Sequence, residues 1–427
     1  MIGALSTSAV AAEARGSMRG WTGCRLAYAR LCDSHCHLRC GPASMQAVSA
    51  DPGASAGPTT QSDSARCTVA SVMLCGTHPS IDWDAVELAS AAPAEALVGF
   101  GVHPWFVPDA TPHAMDGGNA PTVPATTDSP RGDALDRGCC CVDGATALAA
   151  TPTLTLVDIL RGLEERLQRH PRALVAEIGL DKLRGPPEAV QVDAFTAQLR
   201  LAATYHRPVS VHCVRHYGLL LKVLQDLPAE HTPPAIIVHA FTGSLEVAKS
   251  LLSLKNKKRA PATRVVETTP GDAAAEATAT ASTRKTTKRG GSAADAVRIK
   301  DRIFFGVGVS TSFTVKNFAA VTLPYLLDAR RVLVETDAHY TGVEAPPGAG
   351  AGVTVDPREH VESLAGAAEL MCAALAQNSE FVAKAEASGT PVEVLLQDAL
   401  CDSHAQAFRS VSVSPTALDE VKVETHA

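Results

Sequence analysis

Five residues near the start of the chain, Asp33-Ser34-His35-Cys36-His37, have the types and spacing to hold a metal ion. In an extended segment side chains alternate between faces, so Asp33, His35 and His37 project one way and Ser34 and Cys36 the other. Two imidazoles about 7 Å apart on one face can converge on a single cation where the segment ends at a pocket. A lone His-x-His is equally well a pair of polar residues at a strand end. The later chain weighs toward chemistry, because other short apolar runs also end in a His or a carboxylate. His103 follows Ala96–Gly101, Glu177 closes Ala173–Ile178 and His212 follows Val209–Val211. His239 follows Ala235–Val238, and Glu335-Thr336-Asp337 closes the run from Val332.

The runs that carry these residues alternate with helical patterns. After an opening strand at Leu26–Leu31 come strand Thr68–Leu74, a helix near Asp82–Ala91 and strand Ala96–Gly101. An amphipathic helix is expected at Leu154–Arg169, where Leu156, Ile159, Leu160, Leu163 and Leu167 recur at helical spacing. Strand Ala173–Ile178, helix Glu188–His206, strand Val209–Val211, helix Leu219–Asp226, strand Ala235–Val238 and helix Leu245–Leu254 follow. Strand Ile303–Val309, helix Phe318–Leu327 and strand Val332–Glu335 complete the series, with helix between about Glu362 and Phe408.

Strands alternating with helices imply parallel pairing. Eight such units with polar strand ends imply a closed α/β barrel, a (β/α)8 TIM barrel with its site at the C-terminal mouth. In that arrangement residues far apart in sequence become neighbours. A doubly wound open sheet is the alternative, but no Gly-x-Gly-x-x-Gly turn follows any strand. Leaving His103 aside, His35, His37, His212, His239, Glu177 and Asp337 suffice for two divalent ions with open positions for water and substrate.

Composition fits this reading. The 427 residues are 46% hydrophobic and 19% charged, enough for a large core, and the net charge of −7 argues against a general nucleic-acid coat. Low-complexity stretches at about 41–66, 107–150 and 255–300 read as insertions into a single domain spanning 26–410, with a disordered start at 1–25 and a polar tail at 411–427. Twelve cysteines, irregularly spaced and including Cys139-Cys140-Cys141, read as reduced thiols of an intracellular protein, cytoplasmic or nuclear. Residues 1–19 make a poor secretory signal, although Arg15 and Arg19 in an Ala/Ser context leave room for a transit peptide. Cys32, Cys36 and Cys40 raise the alternative of a Cys/His zinc knuckle, which strand alternation disfavours because Cys36 faces away from the histidines. No apolar stretch reaches the ~20 residues that span a bilayer.

The ordered set Asp33-Ser34-His35-Cys36-His37, Gly101-Val102-His103-Pro104, Glu177-Ile178-Gly179-Leu180-Asp181, Val211-His212, His239-Ala240-Phe241-Thr242-Gly243 and Glu335-Thr336-Asp337 resembles the TatD-related metal-dependent hydrolases. The resemblance runs from Leu31 to about Tyr340, and Gly-Val-His-Pro-Trp and Gly-Leu-Asp-Lys look most like a divergent eukaryotic branch. It implies an amidohydrolase-like (β/α)8 barrel, and a deoxyribonuclease with 3'-5' exonuclease-like action on DNA. It also implies two divalent ions, Mg, Mn or Zn. His35, His37 and Asp337 would bind one, and Glu177 would bridge to a second held by His212 and His239. Asp337 would take the proton of the attacking water, and His103 would touch phosphate at the rim.

Three departures fall outside the proposed ligands. Asp337 is followed by Ala338-His339-Tyr340 where many members have Ser-Pro-Tyr. Val214 stands where an Arg usually follows two residues after the His212 position, with Arg215 one further on, a step that turns a strand side chain to the other face. The Arg-Gly and Asn-Pro segment usual after the eighth strand is not recognisable in Glu344–Arg358. Lys255-Asn256-Lys257-Lys258-Arg259, with Arg284-Lys285 and Lys288-Arg289, is a candidate nucleic-acid contact but lacks an aromatic residue to stack bases, and reads better as a solvated loop. Two further functions compete: an amidohydrolase or esterase of the same barrel, and an adaptor that binds a protein partner through its insertions.

Overall fold

The computed structural model describes residues 30–38, 68–89, 96–109, 154–255, 298–340 and 357–412. Eight parallel strands carry the fold: β1 Arg30–Leu38, β2 Thr68–Cys75, β3 Ala96–Gly99, β4 Val175–Asp181, β5 Val209–Val214, β6 Ile236–Val238, β7 Ile303–Val307 and β8 Val332–Val334. They pair in sequence order within two sheets, β3-β2-β1 and β4 through β8. Both seams between the sheets carry backbone hydrogen bonds. At one, Leu174 N–H donates to Val98 and Phe100 N–H donates to Leu174; at the other, Asp337 N–H donates to the His35 carbonyl and His37 N–H to that of Ala338. The architecture is the (β/α)8 fold. A two-residue strand, β9 His339–Tyr340, extends the second seam beside β1.

Strand parity sorts the core into two layers. One face of the strands, with Val72, Leu74, Val209, Val211, Ile236, Val238, Phe305 and Val334, packs outward against the helices. The other face supplies a separate inner cluster of Met73, Cys75, Leu97, Leu174, Ala176, Ile237, Phe304 and Leu333. Phe408 and Val411 from the C-terminal helical segment join that cluster, and Arg172 Nε, just ahead of β4, donates to the Val411 carbonyl. Helices therefore close the N-terminal end of the barrel with apolar side chains. The same inner face continues toward the C-terminal end with His35, Ser210, His212, His239 and Glu335, all buried.

Helix α1 Trp83–Ala89 lies between β2 and β3, and α2 Leu156–Arg169 precedes β4. The expected start of α2 shifts from Leu154 to Leu156 because Thr155 caps it, its hydroxyl accepting from Asp158 N–H while the Asp158 carboxylate accepts from Thr155. Ile159, Leu163 and Leu167 form its buried stripe. Helix α3 Glu188–Thr204 follows β4, and α4 Tyr217–Asp226 and α5 Leu245–Leu252 follow β5 and β6.

Two expectations are corrected. The opening strand, expected to end at Leu31, runs on through the polar motif: among the described residues it spans Arg30–Leu38, and the expected start at Leu26 lies outside them. Polarity marks strand ends only where it meets water, and here Asp33, His35 and His37 are buried inside the ring. The single helix expected over Phe318–Leu327 is a wide π turn, Phe318–Thr322, followed by α6 Leu323–Asp328. Pro324 has no N–H to donate back into a continuous α-helix, which accounts for the break. The terminal helical region resolves into α7 Pro357–Ala376, α8 Ser379–Ser388 and α9 Val392–Ala407.

Cys32, Cys36, Cys75, Cys213 and Cys401 carry no disulfide, whereas Cys372 is disulfide-bonded, which departs from the all-thiol expectation. The N-terminal segment, the Cys139 triplet, the tail from residue 413, most of the three insertions and the basic run beyond Lys255 also lie outside the described residues, whereas Val411, expected in the polar tail, packs in the inner cluster. No helix among the described residues is long and apolar enough to cross a membrane.

Candidate metal centre

β1 delivers His35 and His37 to the mouth of the barrel, where their Nε2 atoms lie 3.2 Å apart. Each ring is held from behind. His37 Nδ1 is 2.8 Å from the Cys75 carbonyl oxygen and His35 Nδ1 is 2.8 Å from Ser210 Oγ. A carbonyl only accepts, so His37 Nδ1 carries the proton and its Nε2 presents a lone pair to the site. That lone pair faces Glu177 Oε2 at 3.2 Å, with His35 Nε2 3.6 Å from the same oxygen. Asp337 Oδ1 stands 3.9 and 3.8 Å from the two imidazole nitrogens.

The other oxygen of Glu177 serves a second group. Oε1 lies 2.6 Å from His239 Nε2, 3.0 Å from His212 Nδ1 and 3.4 Å from His103 Nε2. One carboxylate thus faces two sets of nitrogens with its two oxygens. Glycine makes room for this: at Gly179, with φ of 153°, a Cβ would collide with the His212 carbonyl oxygen. Asp337 and Ala240, with φ of 52° and 45°, hold left-handed backbone directly beside the cluster. Such conformations are costly for non-glycine residues and persist where the surroundings enforce them.

Asp33 clasps the two strands that carry the first group. It accepts from His35 N–H at 3.1 Å, Thr336 N–H at 3.1 Å and Thr336 Oγ1 at 2.6 Å. Its backbone neighbours at the seam bring Asp337 beside His35 and His37.

Charge balance indicates what the cluster suits. Burial pushes Asp33 up to about 7 and Asp337 up to about 6, the latter against the pull of His239 and His37. Burial, with the nearby Asp337 charge, also drives Glu335 well above the usual carboxylate range. Glu177 is likewise penalised by burial, but the facing His239 and His103 outweigh this and hold it well below that range. Burial and His239 keep His35 neutral, well below an ordinary imidazole. Glu177 Oε2, Asp337 Oδ1 and Glu335 Oε2 are buried without a hydrogen-bond partner. Bare carboxylate oxygens and imidazole lone pairs converging in a buried site are an unfavourable arrangement that divalent cations relieve. The donor set, imidazole nitrogen and carboxylate oxygen, fits such ions.

All seven residues singled out in the sequence meet here. Three groups of donor atoms lie within 4.8 Å of one another: His35, His37 and Asp337; His35, Glu177 and His239; His103, Glu177 and His212. None includes Cys32 or Cys36, and Cys36 Sγ instead points to the Met73 carbonyl, away from the histidines. The expected position of His103 is corrected: it is fully buried behind Glu177 rather than on the rim, because Pro104 starts a 3-10 turn that His103 caps through Nδ1, accepting from Trp105 N–H.

Sequence reasoning assigned no role to Asp181. Its Oδ2 accepts from Trp105 Nε1 at 2.6 Å and lies 3.1 Å from His212 Nε2, so it orients the imidazole whose other nitrogen faces Glu177. Strand alternation from Glu177 already places position 181 on the same face. Glu335, which receives Ala240 N–H, was visible only as part of a motif.

Comparison with known proteins gives the following. The model of the family described as TatD related DNase matches residues 32–263, more than half of the chain. A Schizosaccharomyces pombe protein named Cut9-interacting protein scn1 is 25% identical over 264 residues, 51% of this chain and 72% of that protein. The 3'-5' ssDNA/RNA exonuclease TatD of Erwinia billingiae is 40% identical over 91 residues, which is 21% of this chain and only 34% of the bacterial protein. Among solved structures, the Escherichia coli TatD homolog YjjV aligns over 89% of this chain and 98% of its own, with 18% identity and a TM-score of 0.45.

Proposed function

The chain belongs to the TatD related DNase family, and from that premise we propose that it is a two-metal phosphodiesterase acting on DNA. The observation that carries the reading is the position of Glu177, buried between two nitrogen-bearing groups with one oxygen toward each. His35, His37 and Asp337 would hold one divalent ion and His212 and His239 the other, with Glu177 shared. The chemistry such a pair supplies when bound is charge stabilisation on the attacking and leaving oxygens of an in-line displacement. The side chains do the rest. Asp337, whose backbone N–H is tied to the His35 carbonyl, places Oδ1 at the site and accepts the proton of the attacking water. Ser210 and the Cys75 carbonyl fix the rings of His35 and His37, and Asp181 fixes that of His212. His103 acts on Glu177 from behind as a positioning residue.

The test is hydrolysis of end-labelled single- and double-stranded DNA by the purified protein with Mg²⁺, Mn²⁺ or Zn²⁺, against a chelator. Turnover of single-stranded DNA that needs the cation, with products shortening from one end, is the expected result. Cation-independent turnover, or hydrolysis of simple esters but no phosphodiester, overturns it.

A second reading rests on the Schizosaccharomyces pombe relative, which is named as an interacting protein and aligns over more of this chain than the Erwinia exonuclease. Here the metal cluster is structural and the chain binds a protein partner through its insertions. Complete absence of turnover in the same assay, with the metal retained, transfers the lead to this reading.

A further inference from the structure

The loop after β4 builds a cationic feature beside the site. Gln191 pins it from α3: its Oε1 accepts from Asp181 N–H at 2.8 Å, and its Nε2 donates to the carbonyls of Asp181, Arg184 and Pro186 at 3.0, 3.1 and 2.9 Å. The Asp181 carboxylate gathers the same loop by accepting from Leu183 and Arg184 N–H at 2.7 and 3.1 Å. Gly185, with φ of 94°, lets the loop press against the Pro104 carbonyl, where a Cβ would come within 2.6 Å. The result seats the Arg184 guanidinium 4.6 Å above the Trp105 ring. That ring donates Nε1 to Asp181 and lies 6.1 Å from the His212 ring. Arg184 is therefore one aromatic ring away from the metal cluster.

Arg184 is exposed and forms no ion pair among the described residues. Asp181, the nearest carboxylate in the loop, is already occupied by Trp105, His212 and two backbone N–H groups. Lys182 and Arg215, on adjoining strand ends joined through Lys182 N–H and the Val214 carbonyl, are exposed and likewise unpaired among those residues. Stacking holds a guanidinium while leaving its N–H edge available, and a fixed guanidinium loses little freedom on gripping a phosphate.

We propose that Arg184, stacked on Trp105, is a phosphate contact for a nucleic-acid strand entering the site, and that it sets preference for polynucleotides over isolated phosphodiesters. This rests on the DNA-hydrolase reading above, and its test separates the two.

The test measures binding of fluorescein-labelled oligothymidylate to full-length protein in EDTA, across a salt series, by anisotropy. Arg184→Gln is expected to weaken binding by about tenfold and to lower the slope of log affinity against log salt by about 0.7, the value for one lost contact to a single strand. Arg184→Lys keeps the slope, which separates lost charge from a disturbed loop, and Arg161→Gln, on the outer helix α2, matches wild type. With metal added, Arg184→Gln raises KM for the oligonucleotide while kcat, and turnover of bis(p-nitrophenyl) phosphate, stay unchanged. Unaltered affinity and slope in Arg184→Gln overturn the proposal even if the wild type hydrolyses DNA. A slope that falls equally in Arg184→Lys overturns it too. Wild type that binds the oligonucleotide through Arg184 but hydrolyses nothing overturns the hydrolase reading alone, and wild type that binds no oligonucleotide overturns both.

Discussion

Replacing Glu177 with glutamine is expected to reduce phosphodiester turnover by roughly a hundredfold or more, since charge stabilisation by divalent ions supplies several kcal/mol of the barrier reduction. The substitution is nearly isosteric, so the fold should survive. What changes is charge and hydrogen. Glu177 places Oε1 toward His239 and His212 and Oε2 toward His35 and His37, and an amide satisfies only one side with an oxygen. The other side would receive N–H groups aimed where the donor set needs an electron pair. Bound metal should fall together with kcat. Turnover within about threefold of wild type, less than about 0.7 kcal/mol in the barrier, would remove Glu177 from the site.

Asp337→Asn separates proton transfer from metal binding. An asparagine oxygen can still act as a ligand, but it cannot take a proton from water. Turnover is expected to drop by roughly a hundredfold or more, within the range for loss of a general base, while metal content persists at least in part. Burial raises the metal-free carboxyl to about 6, and a neighbouring cation favours its ionised form at neutral pH. Elemental analysis beside the rate measurement checks both halves. If wild type is active and Asp337→Asn is equally active, Asp337 is not the base.

Much of the architecture is legible in the sequence because one physical rule recurs. Six of the eight short apolar runs end in a His or a carboxylate that the barrel mouth can use, and a parallel ring brings those ends together. That rule locates His35, His37, Glu177, His212, His239 and Asp337 as neighbours without any geometry. Three features escape it. The extent of β1 does, because a buried polar motif looks like a strand end until the ring around it is known. The burial of His103 does, because it depends on a turn led by Pro104 and on three-dimensional packing against Glu177. The link from Arg184 through Trp105 and Asp181 to His212 does as well, since it joins two loops about eighty positions apart. Parity alone points to Asp181, but nothing in the chain names its partners.

The measurement that bears most directly on the two-metal account is a titration of chelated protein with Mn²⁺, reading bound ions and the initial rate of single-stranded DNA hydrolysis together. The account predicts no hydrolysis in the chelated protein, binding of two ions per chain, and a rate that reaches its plateau only as the second site fills. Hydrolysis that persists in chelator, or a full rate with one ion bound, would contradict it.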